Sequence, residues 1–324
     1  MSPIGFRRRG RLRLGAILAA AALLGAGCGG DADDGTITIY TTVTEETVTA
    51  VVDLFTAANP EATVEVFRAP TGEVTARIAT EVRQGDLQAD VLWLTDPLSI
   101  QQYAADGLLE SWEPEEIDVV AEEYRTDTFF ATRLLSVVMI HGPDTPVGDW
   151  QDLIGVDGVV AIPDPGFAGS AFGALAFFAQ SEAYGMDFYE SLADSGAVQV
   201  QAPADVISGV AEGRYAAGIT LSQAAEAAIA DGSPIVLAWP ASGAVAVYSP
   251  IAVVEGSEAS TTARAFVNYV LGAEAQQAIA DTGWQPIRTD VSWPERGSHV
   301  AVDWAGAFDR QDELLDAYRA IFGG

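Results

Sequence analysis

Short runs of β-forming residues alternate with helical hydrophobic stripes along most of this chain. Residues 36–40 (TITIY) are typical of a strand, and Val48, Val51 and Phe55 then recur at the spacing of one helix face. Regular alternation of strands with helices predicts an α/β fold built from βα units. Further strand-like runs lie at residues 63–67, 89–93, 158–162, 197–201, 216–220 and 234–238.

Two longer apolar stretches divide the βα units into two sets. Residues 134–140 and 245–254 are extended in pattern and contain no charged residue. We therefore predict two lobes hinged by two crossing strands, with a ligand cleft at the carboxyl ends of the other strands. The predicted first lobe comprises residues 36–133 and about 245–282, and the second comprises residues 134–244 and about 283–324.

The first 35 residues have the pattern of an export signal followed by a tether. Five arginines at positions 7–13 precede an apolar run over residues 14–24, which is shorter than the about 20 residues that span a bilayer. Cys28 follows small residues, which resembles a bacterial lipoprotein processing site, although Gly25 stands where such sites usually carry Leu, Val or Ile. We predict a signal peptide over 1–27, lipidation of Cys28 and a flexible tether over 28–35. A secretory signal with a free thiol and a twin-arginine signal at Arg8-Arg9 are the alternatives.

Acidic residues dominate the charge of the chain. It has 46 Asp and Glu against 16 Arg and no Lys, a formal charge of −30, and removal of the signal would leave 11 Arg and a charge of −35. Nucleic acids bind proteins through basic faces, so we expect no nucleic-acid partner. The single cysteine excludes an intramolecular disulfide and a multi-cysteine metal site. We expect an exported monomer, held by its lipid on the outer face of the cell membrane, at the cell surface or in the periplasm.

The sequence contains none of the common motifs of catalysis or cofactor binding. His141 and His299 have no metal-binding spacing, the glycine-rich residues 166–173 match neither G-x-S-x-G nor G-x-G-x-x-G, and a Walker A motif would need a Lys. We therefore predict no enzyme activity, no cofactor and no metal site. A secreted hydrolase that has adopted this fold is the distant alternative.

Four connections between a strand and a helix are rich in hydroxyl and glycine residues. A helix N-terminus presents unpaired N–H groups and a partial positive charge, so such loops can bind small anions. Each loop taken alone is also explained as a helix N-cap, but four of them on the cleft side indicate a binding site. The candidate ligand-binding residues in these loops are Thr41, Thr42, Thr71, Gly72, Asp96, Gly169 and Ser170.

Several short motifs occur in a specific order along nearly the whole chain after the signal. They include residues 70–73 (PTGE), 89–93 (ADVLW), 162–165 (IPDP), 248–250 (YSP) and 273–276 (AEAQ). In this order they resemble the extracellular solute-binding proteins of ABC importers, in the group with ferric-iron-, phosphonate- and sugar-phosphate-binding members. The resemblance implies a two-lobed periplasmic-binding-protein fold of the second type. It also implies that a small ligand closes the lobes and that the closed form docks on an ABC permease with its ATPase.

The positions that would hold ferric iron depart from the iron-binding members of that group. Those members carry adjacent tyrosines where this chain has Leu221 and Ser222, and their histidine in the first loop is matched by Thr44. Hydroxyl and N–H donors suit a small organic anion such as a phosphonate or phosphate ester. The resemblance therefore implies such a ligand, with Ser222 also lining the cleft and Asp96 orienting any amine. A receptor for ferric iron or an iron chelate, or for a polyamine or other cation, is the alternative.

Overall fold

A computed structural model describes residues 35–294 and 296–323. The strands are β1 (Thr36–Thr41), β2 (Thr63–Arg68), β3 (Val91–Trp93), β4 (Phe130–His141), β5 (Val160–Pro163), β6 (Val198–Val200), β7 (Ala217–Leu221), β8 (Val236–Ala238), β9 (Ala244–Val253), β10 (Gln285–Pro286) and β11 (His299–Val300). The helices are α1 (Glu45–Ala58), α2 (Thr71–Gln84), α3 (Pro97–Ala105), α4 (Gly169–Gln180), α5 (Asp187–Asp194), α6 (Pro203–Ala211), α7 (Ser222–Ala230), α8 (Ser260–Leu271), α9 (Ala273–Asp281), α10 (Trp304–Asp309) and α11 (Gln311–Phe322). Short 3-10 helices lie at Ile117–Val119, Glu122–Tyr124 and Trp150–Gly155. The predicted signal 1–27, Cys28 and residues 28–34 of the predicted tether lie outside the described residues.

One sheet unites two sets of parallel strands. Its strand order is β2-β1-β3-β9-β4-β7-β5-β6, with β8 and β10 beside β4 and β11 beside β9. Strands β1, β2 and β3 are mutually parallel, as are β5, β6 and β7, whereas β4 and β9 run antiparallel to their main neighbours. We call β1–β3 with α1–α3, α8 and α9 the first half, and β5–β7 with α4–α7 the second half.

The long strands β4 and β9 connect these halves. They pair with each other from Phe130–Ile251 to Val137–Val245, while β9 continues along β3 and β4 continues along β7. Every residue of both strands is buried. Burial on both faces explains why these stretches are continuously apolar and do not alternate with polar residues. The prediction of two crossing strands is confirmed, while the predicted lobe boundaries remain predictions.

The hydrophobic core extends through both halves. In the first half, the α1 stripe of Val48, Val51 and Phe55 faces the sheet, and the Phe55 ring meets Phe266 of α8 edge-on at 5.1 Å. In the second half, Phe178 of α4 stacks on Phe188 of α5 with ring centroids 4.2 Å apart. Both aromatic groups belong to one continuous cluster of buried residues. The predicted α/β fold with βα units is therefore confirmed by the order of elements and by the faces that they bury.

The helices are short relative to a lipid bilayer. Within residues 35–294 and 296–323, none has the length and apolar character that crossing a membrane requires.

Candidate ligand-binding site

Helix N-termini from both halves lie at the carboxyl ends of parallel strands. In the first half, β1 leads into α1 and β3 leads into α3; in the second half, β5 leads into α4 and β7 leads directly into α7. In open parallel sheets, ligands bind at the carboxyl ends of the strands. The predicted site residues therefore lie on the elements that a cleft between the halves would use.

The hydroxyls after β1 fasten the loops of the first half to each other. Thr41 is fully buried, and its Oγ1 donates to the Trp93 carbonyl at 2.6 Å and accepts from the Val43 N–H at 3.0 Å. The Thr42 hydroxyl lies 2.9 Å from the Thr95 hydroxyl and accepts from the Thr95 N–H at 2.8 Å. The Thr41 hydroxyl is thus engaged in hydrogen bonds that hold the fold together, whereas the Thr42 side chain is half-buried at the edge of the loop.

Asp96 is a buried acid with only one carboxylate oxygen in a hydrogen bond. It is the N-cap of α3, where Oδ1 accepts from the Ser99 N–H at 2.8 Å. Oδ2 is buried and has no hydrogen-bond partner. Burial raises the pKa of Asp96, against the smaller opposing effect of the Ser99 hydrogen bonds. A buried carboxylate oxygen of this kind is able to accept a donor from a ligand, such as an amine.

Gly169 brings the second half against Asp96. A Cβ at residue 169 would lie 2.7 Å from the Cβ of Asp96, which is closer than side chains pack. Gly169 is the first residue of α4 and Asp96 caps α3, so the N-termini of these two helices meet at this point. We call this pair the Asp96 contact. Glycine is needed here because of the close approach of the halves.

A groove of about 620 Å³ runs beside the Asp96 contact. It is lined from the first half by α2 and α3, and on the other side by the β5–α4 loop, α4 and α11. The large hydrophobic Phe167 at its rim is 70% exposed. Three predicted site residues are therefore brought together around one groove, whose lining includes Thr71, Arg83, Asp96, Phe167, Gly169 and Leu315.

The remaining predicted residues lie on helix N-termini outside this groove. Gly72 is exposed at the second position of α2, with no atom within 4 Å of where its Cβ would be. Ser170 and Ser222 are half-buried at the second position of α4 and the first position of α7. Ligand binding by these residues, as by the others, remains a prediction.

Sequence reasoning missed Arg133, a fully buried cation on β4. Its Nη1 lies 3.4 Å from the Thr47 hydroxyl, and its guanidinium stacks 4.3 Å from the Trp284 ring. The Thr47 hydroxyl in turn lies 2.9 Å from the hydroxyls of both Thr44 and Thr282. We call these five residues the Arg133 cluster. The available signal was an arginine adjoining a long apolar β run, since a charge in a strand buried on both faces needs a reason.

Metal binding has no cluster of ligands to support it in the described part of the chain. Residues 35–294 and 296–323 contain no group of three or more His, Cys, Asp or Glu side chains arranged to hold a metal ion.

Solved structures of similar shape identify the class of fold. Iron-bound HitA from Pseudomonas aeruginosa superposes with a TM-score of 0.75 at 18% identity, covering 88% of this chain and 99% of that one. AfuA from Actinobacillus pleuropneumoniae, a periplasmic binding protein with exogenous fructose-6-phosphate bound, gives 0.72 at 20% identity, covering 89% and 99%. A substrate-binding protein of an ABC transporter from Agrobacterium tumefaciens gives 0.77 at 16% identity, covering 90% and 96%. The chain therefore has the two-lobed periplasmic-binding-protein fold of the second type.

The sequence also matches a family. The model of the bacterial extracellular solute-binding proteins matches residues 37–285, which is most of the chain. The protein belongs to this family. An uncharacterized protein of Haemophilus influenzae is 25% identical over 230 residues, which span 65% of this chain and 66% of that protein.

Proposed function

We propose that this protein is a lipid-anchored solute receptor that binds a small organic anion, such as a phosphonate or phosphate ester, and delivers it to an ABC permease. The observation that carries the proposal is the Asp96 contact, where helix N-termini from the two halves meet. A ligand held at such a junction touches both halves at once. It therefore favours the closed arrangement by its differential affinity for that state.

The chemistry of the other helix N-termini and loops at the carboxyl ends of the strands favours an anionic ligand. Helix N-termini supply N–H donors and a partial positive charge, and Thr42, Thr71, Ser170 and Ser222 add neutral hydroxyls on these termini and loops. Solved proteins of the same fold include one with iron bound and one with fructose-6-phosphate bound. The fold thus serves more than one ligand class, and the donors of this chain suit the second.

The receptor would work outside the cell and catalyse no reaction. Export by the signal 1–27 and lipidation of Cys28 would hold a monomeric body at the outer face of the cell membrane, next to its permease. Its contribution to transport would be capture and delivery, while the ATPase of the permease complex supplies the energy.

Thermal unfolding of the full chain against a ligand panel tests this proposal. The panel comprises methylphosphonate, 2-aminoethylphosphonate, fructose-6-phosphate, ferric citrate and spermidine. A ligand at 100 times its Kd stabilises the folded state by about 2.7 kcal/mol, which corresponds to a Tm increase of about 5 °C for a chain of this size. A rise with a phosphonate or the sugar phosphate supports the proposal. A rise with ferric citrate alone, accompanied by a visible charge-transfer band, would contradict it.

A cation or polyamine receptor is a second candidate because Asp96 buries a carboxylate oxygen that has no partner. An ammonium group would satisfy this oxygen. Under this alternative, Asp96→Asn abolishes binding of spermidine while Ser170→Ala leaves it unchanged. Under the anion proposal, Ser170→Ala weakens binding and Asp96→Asn matters only for ligands that carry an amine.

A further inference from the structure

Arg133 lies at the first-half end of the crossing strands. It is opposite Ser249 on β9 and Pro286 on β10, next to the register shift that separates Ala131 from Arg133 in the pairing with β9. Its side chain is fully buried. The two residues that contact its guanidinium, Thr47 of α1 and Trp284, carry no charge.

Two of the three nitrogens of this guanidinium have no hydrogen-bond partner among the residues that the structure describes. Nε and Nη2 are buried without one, and Nη1 makes only the long 3.4 Å contact with Thr47. Nε and Nη2 form one edge of the planar group, and that edge matches the two oxygens of a carboxylate or phosphoryl group. The chain itself demonstrates this geometry at Arg288, whose Nε and Nη2 each donate at 2.8 Å to the two oxygens of Asp290.

Most of the other arginines of the described residues differ from Arg133 in having an acidic partner. Eight of the eleven form an ion pair with an acidic side chain. The exceptions are Arg68, Arg83 and Arg133, of which the first two are exposed and solvated by water. In a chain with 46 acidic residues, a carboxylate partner is easy to supply. Arg133 is thus the one buried arginine of residues 35–294 and 296–323 without such a partner.

Leaving this cation uncompensated is costly to the fold. Burial of a charge without a counter-charge is strongly unfavourable, and burial lowers the pKa of Arg133 to about 9. The guanidinium nevertheless remains charged at neutral pH. Stacking on Trp284 recovers part of the cost but satisfies none of the N–H donors. Costs of this kind persist in proteins where function requires them.

The surroundings of the cluster connect it to the cleft. Thr44 is the N-cap of α1, and its hydroxyl does not cap the helix but bonds to Thr47. Gln223 of α7 in the second half lies against Gly283, the residue between Thr282 and Trp284 of the cluster, since a Cβ at Gly283 would lie 3.2 Å from its Cγ. Leu221, just before α7, pairs with Val137, which is four residues along β4 from Arg133, or about 13 Å. The chain segment that carries Thr282 and Trp284 is therefore next to α7 of the second half.

We propose that the Nε–Nη2 edge of Arg133, together with the N-terminus of α1, binds a two-oxygen acidic group of the ligand: a phosphoryl, phosphonyl or carboxyl group. This inference rests on the proposed function and adds an anchoring residue to it. The nearest acidic residues on α1 are Glu45 and Glu46, which are exposed. No acidic side chain in the described residues forms an ion pair with Arg133, so the ligand would supply its counter-charge.

Substitutions of Arg133 in the full chain test the inference. The variants are Arg133→Gln, which removes the charge, and Arg133→Lys, which keeps the charge and removes the two-pronged edge. Arg214→Gln is the control because Arg214 is exposed and precedes β7, at the end of that strand away from α7 and the predicted site residues. Thermal unfolding is measured with and without inorganic phosphate, methylphosphonate, fructose-6-phosphate and citrate.

An anchoring role predicts opposite changes in the two measurements. Without an anion, Arg133→Gln unfolds at the Tm of the unsubstituted protein or higher, because an uncompensated charge has been removed. With an anion, it loses the increase of about 5 °C that the unsubstituted protein and Arg214→Gln display at 100 times the Kd. Arg133→Lys binds at least tenfold more weakly than the unsubstituted protein, and supplies the readout if Arg133→Gln does not fold.

The contrary results are distinct for the two proposals. A lower Tm for Arg133→Gln without anion, with the anion-induced increase retained, would make Arg133 a structural partner of Trp284 and overturn the anchoring role alone. If no anion raises the Tm of the unsubstituted protein, the anion-receptor function falls, and the anchoring role falls with it.

Discussion

The Asp96 contact and the Arg133 cluster each contain a buried charge without an ionic partner, but the fold explains them unequally. Asp96 caps α3 through Oδ1, so this helix requires an acceptor at that position whether or not a ligand binds. Arg133 has no comparable structural task, since its only hydrogen bond within the described residues is the 3.4 Å contact with Thr47. Asp96 thus has a structural role whether or not it binds a ligand, whereas no structural role of this kind accounts for Arg133.

The two regions also meet the second half in different ways. At the Asp96 contact, backbone approaches side chain so closely that residue 169 has room for hydrogen only. At the Arg133 cluster, the flexible Gln223 side chain is what lies against Gly283. The first region therefore limits how near the halves come, whereas the contact at Gly283 is made by a side chain that can change its rotamer.

The largest expected effect comes from breaking the Asp96 contact with Gly169→Ala. The added methyl group would overlap Asp96, so we expect the free energy of unfolding to fall by about 1–3 kcal/mol and ligand affinity to fall with it. Gly72→Ala is the control, because it also lies in the first turn of a helix and has open space around it. It should be neutral or stabilising by at most about 1 kcal/mol. Urea unfolding measures both, and equal effects would refute the tight approach at residue 169.

The pH dependence of the free energy of unfolding tests whether Asp96 is desolvated in the folded state. Because burial raises its pKa above the ordinary 3.8, the folded state holds the proton more tightly than the unfolded state. The resulting stability is present at acid pH and is lost as the pH rises from about 4 through the raised pKa. Asp96→Asn does not titrate and keeps a capping oxygen, so its free energy of unfolding relative to that of the unsubstituted protein should rise as the pH increases from 4 to 7.

Urea unfolding across that pH range provides the measurement for Asp96→Asn. Asp157→Asn, at an exposed acid just before β5, controls for the loss of one negative charge. If the pH dependence of Asp96→Asn relative to the unsubstituted protein is no larger than that of Asp157→Asn, Asp96 is not desolvated in solution.

The smallest expected effects are on ligand affinity, and they come from removing one serine hydroxyl near each of the two regions. Their comparison tests which region binds the acidic group of the ligand. Ser222 precedes Gln223, which lies against Gly283 between Thr282 and Trp284 of the Arg133 cluster, whereas Ser170 follows Gly169 at the Asp96 contact. Loss of one hydrogen bond weakens binding by about 0.5–1 kcal/mol, or about two- to fivefold in Kd. If the acidic group of the ligand lies at the Arg133 cluster, calorimetric titration should find the larger loss for Ser222→Ala. A larger loss for Ser170→Ala would move that group to the N-terminus of α4.

Most of the fold could be predicted because its signals are local. The stripe of α1 and the alternation of strands with helices follow from spacings within about a dozen residues. Helix α5 was missed because its eight residues are fewer than the window in which helical periodicity becomes visible. The two-residue strands β10 and β11 exist only through pairing with β4 and β9, which no local pattern encodes.

The candidate site residues likewise divide into those that have a local sequence signal and those that do not. Asp96 was found because an acid directly before Pro97 is a local N-cap signal. The relevant property of Arg133 depends on Thr47, which is 86 positions away, and on Trp284, which is further still. What distinguishes Arg133 is that no acidic side chain of the described residues forms an ion pair with it, and the sequence alone does not specify which side chains surround a buried strand.

The pairing of β10 with β4 and of β11 with β9 has a mechanical consequence. The chain passes between the halves along β4, along β9 and through the segment that carries β10 and β11, and these strands are hydrogen-bonded into one band. Such a band resists sliding of its strands past each other and deforms most easily by bending. The main rigid-body motion that it allows between the halves is therefore a rotation about one hinge axis. The halves would then close on a ligand along a single path. The permease would therefore meet the same closed shape whichever side of the cleft the ligand contacts first.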